Sequence, residues 1–293
     1  MAEEIAAPRW LAQAEREELE YLVRRLGLEA DGFPLQRPKD GSGHWAEVVG
    51  ERVARLQLHG ATELHDLAGV GRFPGLRQLR LVGVRLETLH ALAAPALREL
   101  RVARTPLVDL AALRGAPLLE RLVLVDVPLT SLASLPPLRA LREIALDRVA
   151  LSDLVGLDER EALEALTLTR TGVTQLEGLG PLPRLRLLDV SRNALTTLAG
   201  LEGRRLAKID ASRNALADVG ALLSTEGLEE LDLRLNRIVD IPPALARRFP
   251  AAFDGNPGHA DGVWKLHLAD RAEERRESAG TAQAGDAPPR EPR

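Results

Sequence analysis

The sequence has no cysteine. That excludes a disulfide framework, a thiolate metal site and a cysteine nucleophile. Aromatic residues make up only 3% of it. Trp10, Tyr21, Phe33, Trp45, Phe73, Phe249, Phe253 and Trp264 are the whole set, and none lies between positions 74 and 248. The middle of the chain must therefore build its core from leucine, valine and alanine. It also offers no stacking platform for the bases of single-stranded nucleic acid. Lysine is confined to Lys39, Lys208 and Lys265, every other basic residue being arginine, which fits a GC-rich bacterial genome better than a selected function. The net charge of −4 is too small to argue for nucleic acid or a membrane surface as partner. No apolar run approaches the ~18 residues that span a bilayer. The opening MAEEIAAPRW has neither a basic nor an apolar signal region, so no secretory signal is expected. The default address is the cytoplasm, with an effector exported without a cleavable signal left open.

Catalytic sets are also missing. His44, His59, His65, His90, His259 and His267 are scattered, and His59, His65 and Asp66 match no zinc-ligand spacing. No Walker-type phosphate loop occurs. Asp189, Asp210 and Asp232 stand beside arginines, which argues against a calcium site. The expectation is a chain that is not an enzyme and carries no cofactor and no metal.

What the chain does have is a repeat. From Leu185 to Leu201 it reads LRLLDVSRNALTTLAGL, with apolar residues at Leu185, Leu188, Val190, Leu195, Leu198 and Leu201 and an asparagine at Asn193. The same spacing starts at Val53, Leu76, Leu97, Leu119, Leu141, Leu163, Leu185, Leu206 and Leu228. The first copy slips out of register after Ala61, and a half copy ends with Asn256 at the asparagine position. These segments resemble leucine-rich repeats of the 22-residue kind found in bacterial internalin-type domains and in the SDS22-like group. The resemblance covers about 53–257. It implies an α/β solenoid: a leucine-rich-repeat horseshoe with a parallel concave sheet, turns and 3₁₀ pieces on the convex side, and an N-terminal helical cap. The asparagine position holds Val84, Thr105, Val127, Val149 and Thr171 in the second to sixth copies, and Asn193, Asn214, Asn236 and Asn256 afterwards. A buried asparagine there bonds backbone groups of adjacent turns, so the ladder reads as structural.

Four segments follow. Residues 1–52 hold a helix over Pro8–Leu26, with Trp10, Leu11, Ala14, Leu19, Leu22, Val23 and Leu26 inward, then a loop and an edge strand. Residues 53–257 are the solenoid. Residues 258–274 are a C-terminal cap, with a helix over 263–274, and 275–293 read as a disordered tail.

Alternation of period two sends the residues between the buried strand positions to the concave face. The column between the two strand leucines runs Gln57, Arg80, Arg101, Val123, Ala145, Thr167, Asp189, Asp210, Asp232: basic, neutral, then acidic. The column before the asparagine position runs Gly60, Gly83, Arg104, Asp126, Arg148, Arg170, Arg192, Arg213, Leu235. Between them lie residues such as Val82, Val125 and Arg234. Two uses of these charges are open. Asp189, Asp210 and Asp232 pair with Arg192, Arg213 and Arg234 as a surface ladder, or the face docks a partner. The expected function is a non-enzymatic protein-interaction module, an adaptor, scaffold or regulatory subunit, monomeric unless its concave faces or caps self-associate. Its partner is another protein, met by Arg80, Arg101, Arg104, Val123, Val125, Arg148, Arg170, Asp189, Arg192, Asp210, Arg213, Asp232 and Arg234. The alternative is an anionic non-protein ligand (polyphosphate, nucleic acid or acidic glycan) on the arginine column. Nucleic acid is disfavoured by the net negative charge.

Overall fold

A computed structural model describes residues 11–25, 34–39, 42–61, 63–158 and 160–260 of the chain. The expected helix over 263–274 and the tail over 275–293 lie outside the described residues, as do both ends of the expected Pro8–Leu26 helix. Within them, period-two alternation produces a ten-stranded sheet whose order follows the chain. Strand β1 (Trp45–Val49) turns at Gly50–Glu51 into β2 (Arg52–His59), its antiparallel neighbour. Each later strand adds in parallel: β3 (Gln78–Val82), β4 (Glu99–Ala103), β5 (Arg121–Val125), β6 (Glu143–Asp147), β7 (Ala165–Thr169), β8 (Leu187–Asp189), β9 (Lys208–Asp210) and β10 (Glu230–Asp232).

The register stacks like on like. Leu56, Leu79, Leu100, Leu122, Ile144, Leu166, Leu188 and Ile209 form one interior row, each at most 1% exposed. Each such side chain taken from water contributes about 1.5–3 kcal/mol. The chain returns over the convex side in 3₁₀ turns at Val70–Arg72, Ala111–Gly115, Glu177–Leu179 and Gly220–Ser224, each burying one apolar residue: Val70, Leu113, Leu179 and Leu222. Twenty-two residues per turn leave little room for more. The last convex stretch differs. Pro242 and Pro243 start a short α-helix, α2 (Pro243–Arg248), where turns are expected, α1 being the N-terminal helix described below.

The two halves of the solenoid close their turns differently. In β3–β7 the strands run five residues, so that Ala103 still pairs with Val125 and Val125 with Asp147. In β8–β10 they run three. There the aspartate in the strand accepts the amide two residues on: Ser191 N–H donates to Asp189 at 2.9 Å, Ser212 N–H to Asp210 at 3.0 Å and Arg234 N–H to Asp232 at 3.0 Å. Such side chains compete with the ladder for the amide. The carbonyl of the preceding turn that loses its partner is taken over by the asparagine. Asn193 Nδ2 donates to Leu168 O at 2.5 Å, Asn214 Nδ2 to Val190 O at 3.0 Å and Asn236 Nδ2 to Ala211 O at 3.0 Å. Aspartate and asparagine therefore enter the sequence in the same repeats because together they replace one rung of the ladder.

Both ends of the stack are covered. Helix α1 (Gln13–Arg25) lays Leu19, Leu22 and Val23 inward with Leu11 just before it, as the apolar spacing predicts, but Ala14 is exposed. Glu15 and Glu18 are buried instead, at 1% and 2% exposure. Glu15 Oε2 accepts the amide of Val53 at 2.6 Å, and Arg72 reaches Glu18 at 3.3 Å. At the far end, Leu233 and Leu235 donate their amides to Ala252 O at 2.8 Å and Asp254 O at 2.9 Å. Phe253 fills the last layer at 1% exposure, and α3 (Pro257–Ala260) follows.

Candidate functional site

The concave face is the sheet surface opposite the leucine rows. Register fixes its columns: Arg80 stands beside Arg101, Arg101 beside Val123, and Asp189 beside Asp210 and then Asp232. Neighbouring members of a column are about 4.8 Å apart along the sheet. Register places all thirteen residues picked out by the sequence in these columns, basic to neutral to acidic, but Val123 is buried at 5% exposure between its neighbours and, against expectation, offers almost no surface there.

Their environments differ. The Asp232 carboxylate is paired as expected. Arg234 donates to it from Nε at 2.9 Å and from the terminal nitrogen at 2.5 Å. Burial pushes that carboxyl up, but the hydrogen bonds from Arg234 and the charges of Arg234 and Arg213 outweigh it and hold it below the usual range. Asp189 and Asp210 spend an oxygen on a backbone amide, and among the described residues neither makes an ion pair. The expected ladder of three equivalent pairs is therefore one pair and two turn-closing aspartates. Arg148 and Arg170 converge on Asp147, at 3.3 and 2.8 Å. Arg101, Arg104, Arg192 and Arg213 have no ion pair and no side-chain hydrogen bond among the described residues.

The arginine column has an unusual backbone. Arg104, Arg148, Arg170, Arg192 and Arg213 all adopt φ between 51° and 60°, as do Asp126 and Leu235 near 56° and 59°. Gly60 and Gly83 fill the same position in the first two copies with φ of 65° and 62°. A left-handed residue other than glycine costs roughly 1–2 kcal/mol.

Sequence reading missed a second charged surface. The two columns that precede the first strand leucine alternate in sign, and the structure pairs them across rungs. Arg98 bonds Glu120 and Arg142 bonds Glu164. Arg121 meets Glu143 at 3.1 Å and Lys208 meets Glu230 at 2.6 Å. A shallow groove of about 730 Å³ runs along these rungs past Ala165 to Leu187. None of the thirteen expected site residues lines it. Arg98, Arg121 and Arg142 in it are paired across rungs, Arg52 and Arg55 pair with Glu15 and Glu47 outside it, and Arg77 makes no ion pair among the described residues. The alternating sign in two stacked columns was the signal available in the sequence.

The basic end of the face is also shaped by an element outside the repeats. The connection into β1 folds back: Pro34 O accepts the amide of Ala46 at 3.0 Å, and Gly43 O accepts Gln57 Nε2 at 2.8 Å. Gln57 is thereby buried at 5% exposure, although its column is concave. The same fold-back brings Arg37 into the electrostatic field of Arg80. Burial is the largest influence on the Arg80 guanidinium and lowers its pKa. Glu99 acts in the opposite sense, and Arg37, Arg101 and Arg55 each push it lower again. The nearest carboxylate, Glu99, is 4.0 Å away and also takes Gln78 Nε2 at 3.0 Å. Arg80 Nε is buried with no hydrogen-bond partner. Next to this corner, His44 Nδ1 accepts the amide of His59 at 3.3 Å, and burial, with His59 nearby, lowers its pKa.

Among the described residues, no group of three or more histidines and carboxylates is placed to hold a metal ion, and no helix is long and apolar enough to cross a membrane. No protein-family model and no curated protein matches the chain. Among solved structures, it is similar to internalin C2 from Listeria monocytogenes, at 22% identity over 70% of this chain and 78% of that one, with a TM-score of 0.46. It is also similar to an internalin (inlF) from the same organism, at 14% identity over 87% of this chain and 85% of that one, with a TM-score of 0.44. By its own register, one parallel strand for each turn of about 22 residues, the chain is a leucine-rich-repeat solenoid.

Proposed function

We propose that this chain is a non-enzymatic protein-interaction module that receives a partner protein on its concave face. One observation carries the reading. On the entry side of the sheet four cross-rung pairs neutralise Arg98, Arg121, Arg142 and Lys208, whereas on the concave face Arg101, Arg104, Arg192 and Arg213 make no ion pair among the described residues. Arg104, Arg192 and Arg213 keep a left-handed position where glycine fits without strain and make no ion pair among the described residues, which supports the same reading. Guanidinium forks bind carboxylates bidentately, and the half-buried Val82 and Val125 between them supply a small apolar floor. The second reading, an anionic non-protein ligand, draws on the crowding of Arg37, Arg55 and Arg101 around Arg80. The aspartates at the other end of the face oppose it.

Charge reversal tests the proposal. Arg148→Glu, Arg170→Glu and Arg192→Glu together should abolish recovery of partner proteins from the native organism, with the fold intact by circular dichroism. Unchanged recovery removes the arginine column as the docking site. For the second reading, binding that hardly weakens between low and physiological salt removes a polyanion as the ligand.

A further inference from the structure

We infer that the basic corner formed by Arg37, Arg80 and Arg101 is the anchor for an acidic segment of the partner protein. The inference rests on the concave-face reading and adds the chemistry of what is bound. Three observations support it. Arg80 and Arg101 are register neighbours on β3 and β4, so two guanidinium groups stand side by side about one strand spacing apart. Arg37, on the folded-back connection that has no repeat register of its own, stands near enough for its charge to act on Arg80. Among the described residues, Glu99 is the one carboxylate within ion-pair distance of Arg80, at 4.0 Å and shared with Gln78, and the Arg80 Nε–H is buried without an acceptor. Three cations around one half-satisfied carboxylate repel each other, and a buried donor with no acceptor is costly. A carboxylate placed between Arg80 and Arg101 relieves the repulsion.

The neighbourhood selects a polypeptide rather than a uniform polyanion. Val82 and Val125 adjoin the corner as an apolar ledge, and Asp126 and Asp147 stand a few rungs on. A chain with phosphate at every unit would meet the Asp126 carboxylate, unpaired among the described residues, Asp147 being neutralised by Arg148 and Arg170, and would leave the ledge bare. A peptide with a short acidic block next to apolar residues fits both.

The test is a fluorescence-anisotropy titration of the full chain with a labelled synthetic peptide bearing four consecutive glutamates beside two leucines. Arg80→Gln with Arg101→Gln should weaken binding about a hundredfold, roughly tenfold for each charged hydrogen-bonding group. Arg192→Gln with Arg213→Gln should leave it within about twofold, the scale of a screened surface charge. Circular dichroism and thermal unfolding establish that both variants fold. Equal loss in both pairs means diffuse attraction and overturns the inference, as does no loss in either. Tighter, Arg80-dependent binding of an oligonucleotide or of polyphosphate overturns it too. Recovery of the native partner separates this inference from the reading beneath it. If Val125→Arg, folded by circular dichroism, abolishes recovery while the Arg80/Arg101 variant does not, the face still docks a protein but not by an acidic anchor. If neither variant matters, both fall.

Discussion

At the scale of single residues, the informative feature is the joint arrival of aspartate and asparagine. Asp210 holds the Ser212 amide at 3.0 Å, and Asn214 bonds the Val190 carbonyl that this amide would otherwise meet. The fifth repeat solves the same turn with Ala145 and Val149, both in a five-residue strand context. A double-mutant cycle follows. Asn214→Val alone leaves the Val190 carbonyl unpaired and should cost about 1–3 kcal/mol. Asp210→Ala alone should cost about 0.5–1.5 kcal/mol. The pair should cost less than the sum by at least about 0.5 kcal/mol, because the Ser212 amide is then free to rejoin the ladder. Strict additivity in urea unfolding would mean that the two side chains act independently. The same geometry bears on function. Asp189 and Asp210 have structural work, so their acidity is weaker evidence of a docking surface than the unpaired guanidinium groups of Arg192 and Arg213.

At the scale of elements, the strand centres were legible because period two inside a 22-residue repeat admits one register only. Leu79, Leu100 and Leu122 are placed by that pattern and nothing else. The concave columns were legible for the same reason. What the pattern did not reveal depends on contacts made outside it. Arg37 reaches the face through a loop with no repeat. Arg160 and Arg204 are buried or half-buried on the convex side and donate to carbonyls of the turn before, Arg160 to Leu135 at 2.7 Å and Arg204 to Gly180 at 2.6 Å. Neither is distinguishable by sequence from a solvated arginine. The cap helix is the clearest case. Glu15 and Glu18 sit at positions where an amphipathic reading expects a polar face, yet both are buried against the first turn of the solenoid. Glu15 satisfies the Val53 amide at the start of the sheet, and Glu18 lies where a side chain on Gly69 would strike its Oε1 at 1.9 Å. Glu15→Ala should therefore destabilise the chain by about 1–3 kcal/mol, the penalty of leaving that amide buried and unpaired. Glu15→Gln, which keeps an acceptor oxygen, should lose clearly less. Chemical unfolding checks both, and equal losses would assign the effect to charge instead of to the hydrogen bond.

At the scale of the whole molecule, each turn packs only on the next, so damage should stay local. The stack is nevertheless not uniform. Its first half is held by five-residue strands, its second by three-residue strands and the asparagine ladder, and cross-rung ion pairs run through both. Leu188 stands near the boundary, 1% exposed, between Leu166 and Ile209. Leu188→Ala removes part of an interior row and should cost about 2–5 kcal/mol. In a solenoid with nearest-neighbour coupling that loss is felt first by the adjoining turns. Hydrogen exchange should show protection falling in β7, β8 and β9, while β2–β4, tied to the cap through Glu15 and the β1–β2 hairpin, keep theirs. Uniform loss across all ten strands would instead make the chain one cooperative unit, in which the basic corner at Arg80 and the acidic end at Asp232 share a single stability. Local loss leaves the two ends of the face thermodynamically separable. An acidic partner segment bound at Arg80 and Arg101 would then protect β3 and β4 from exchange without tightening β9 and β10.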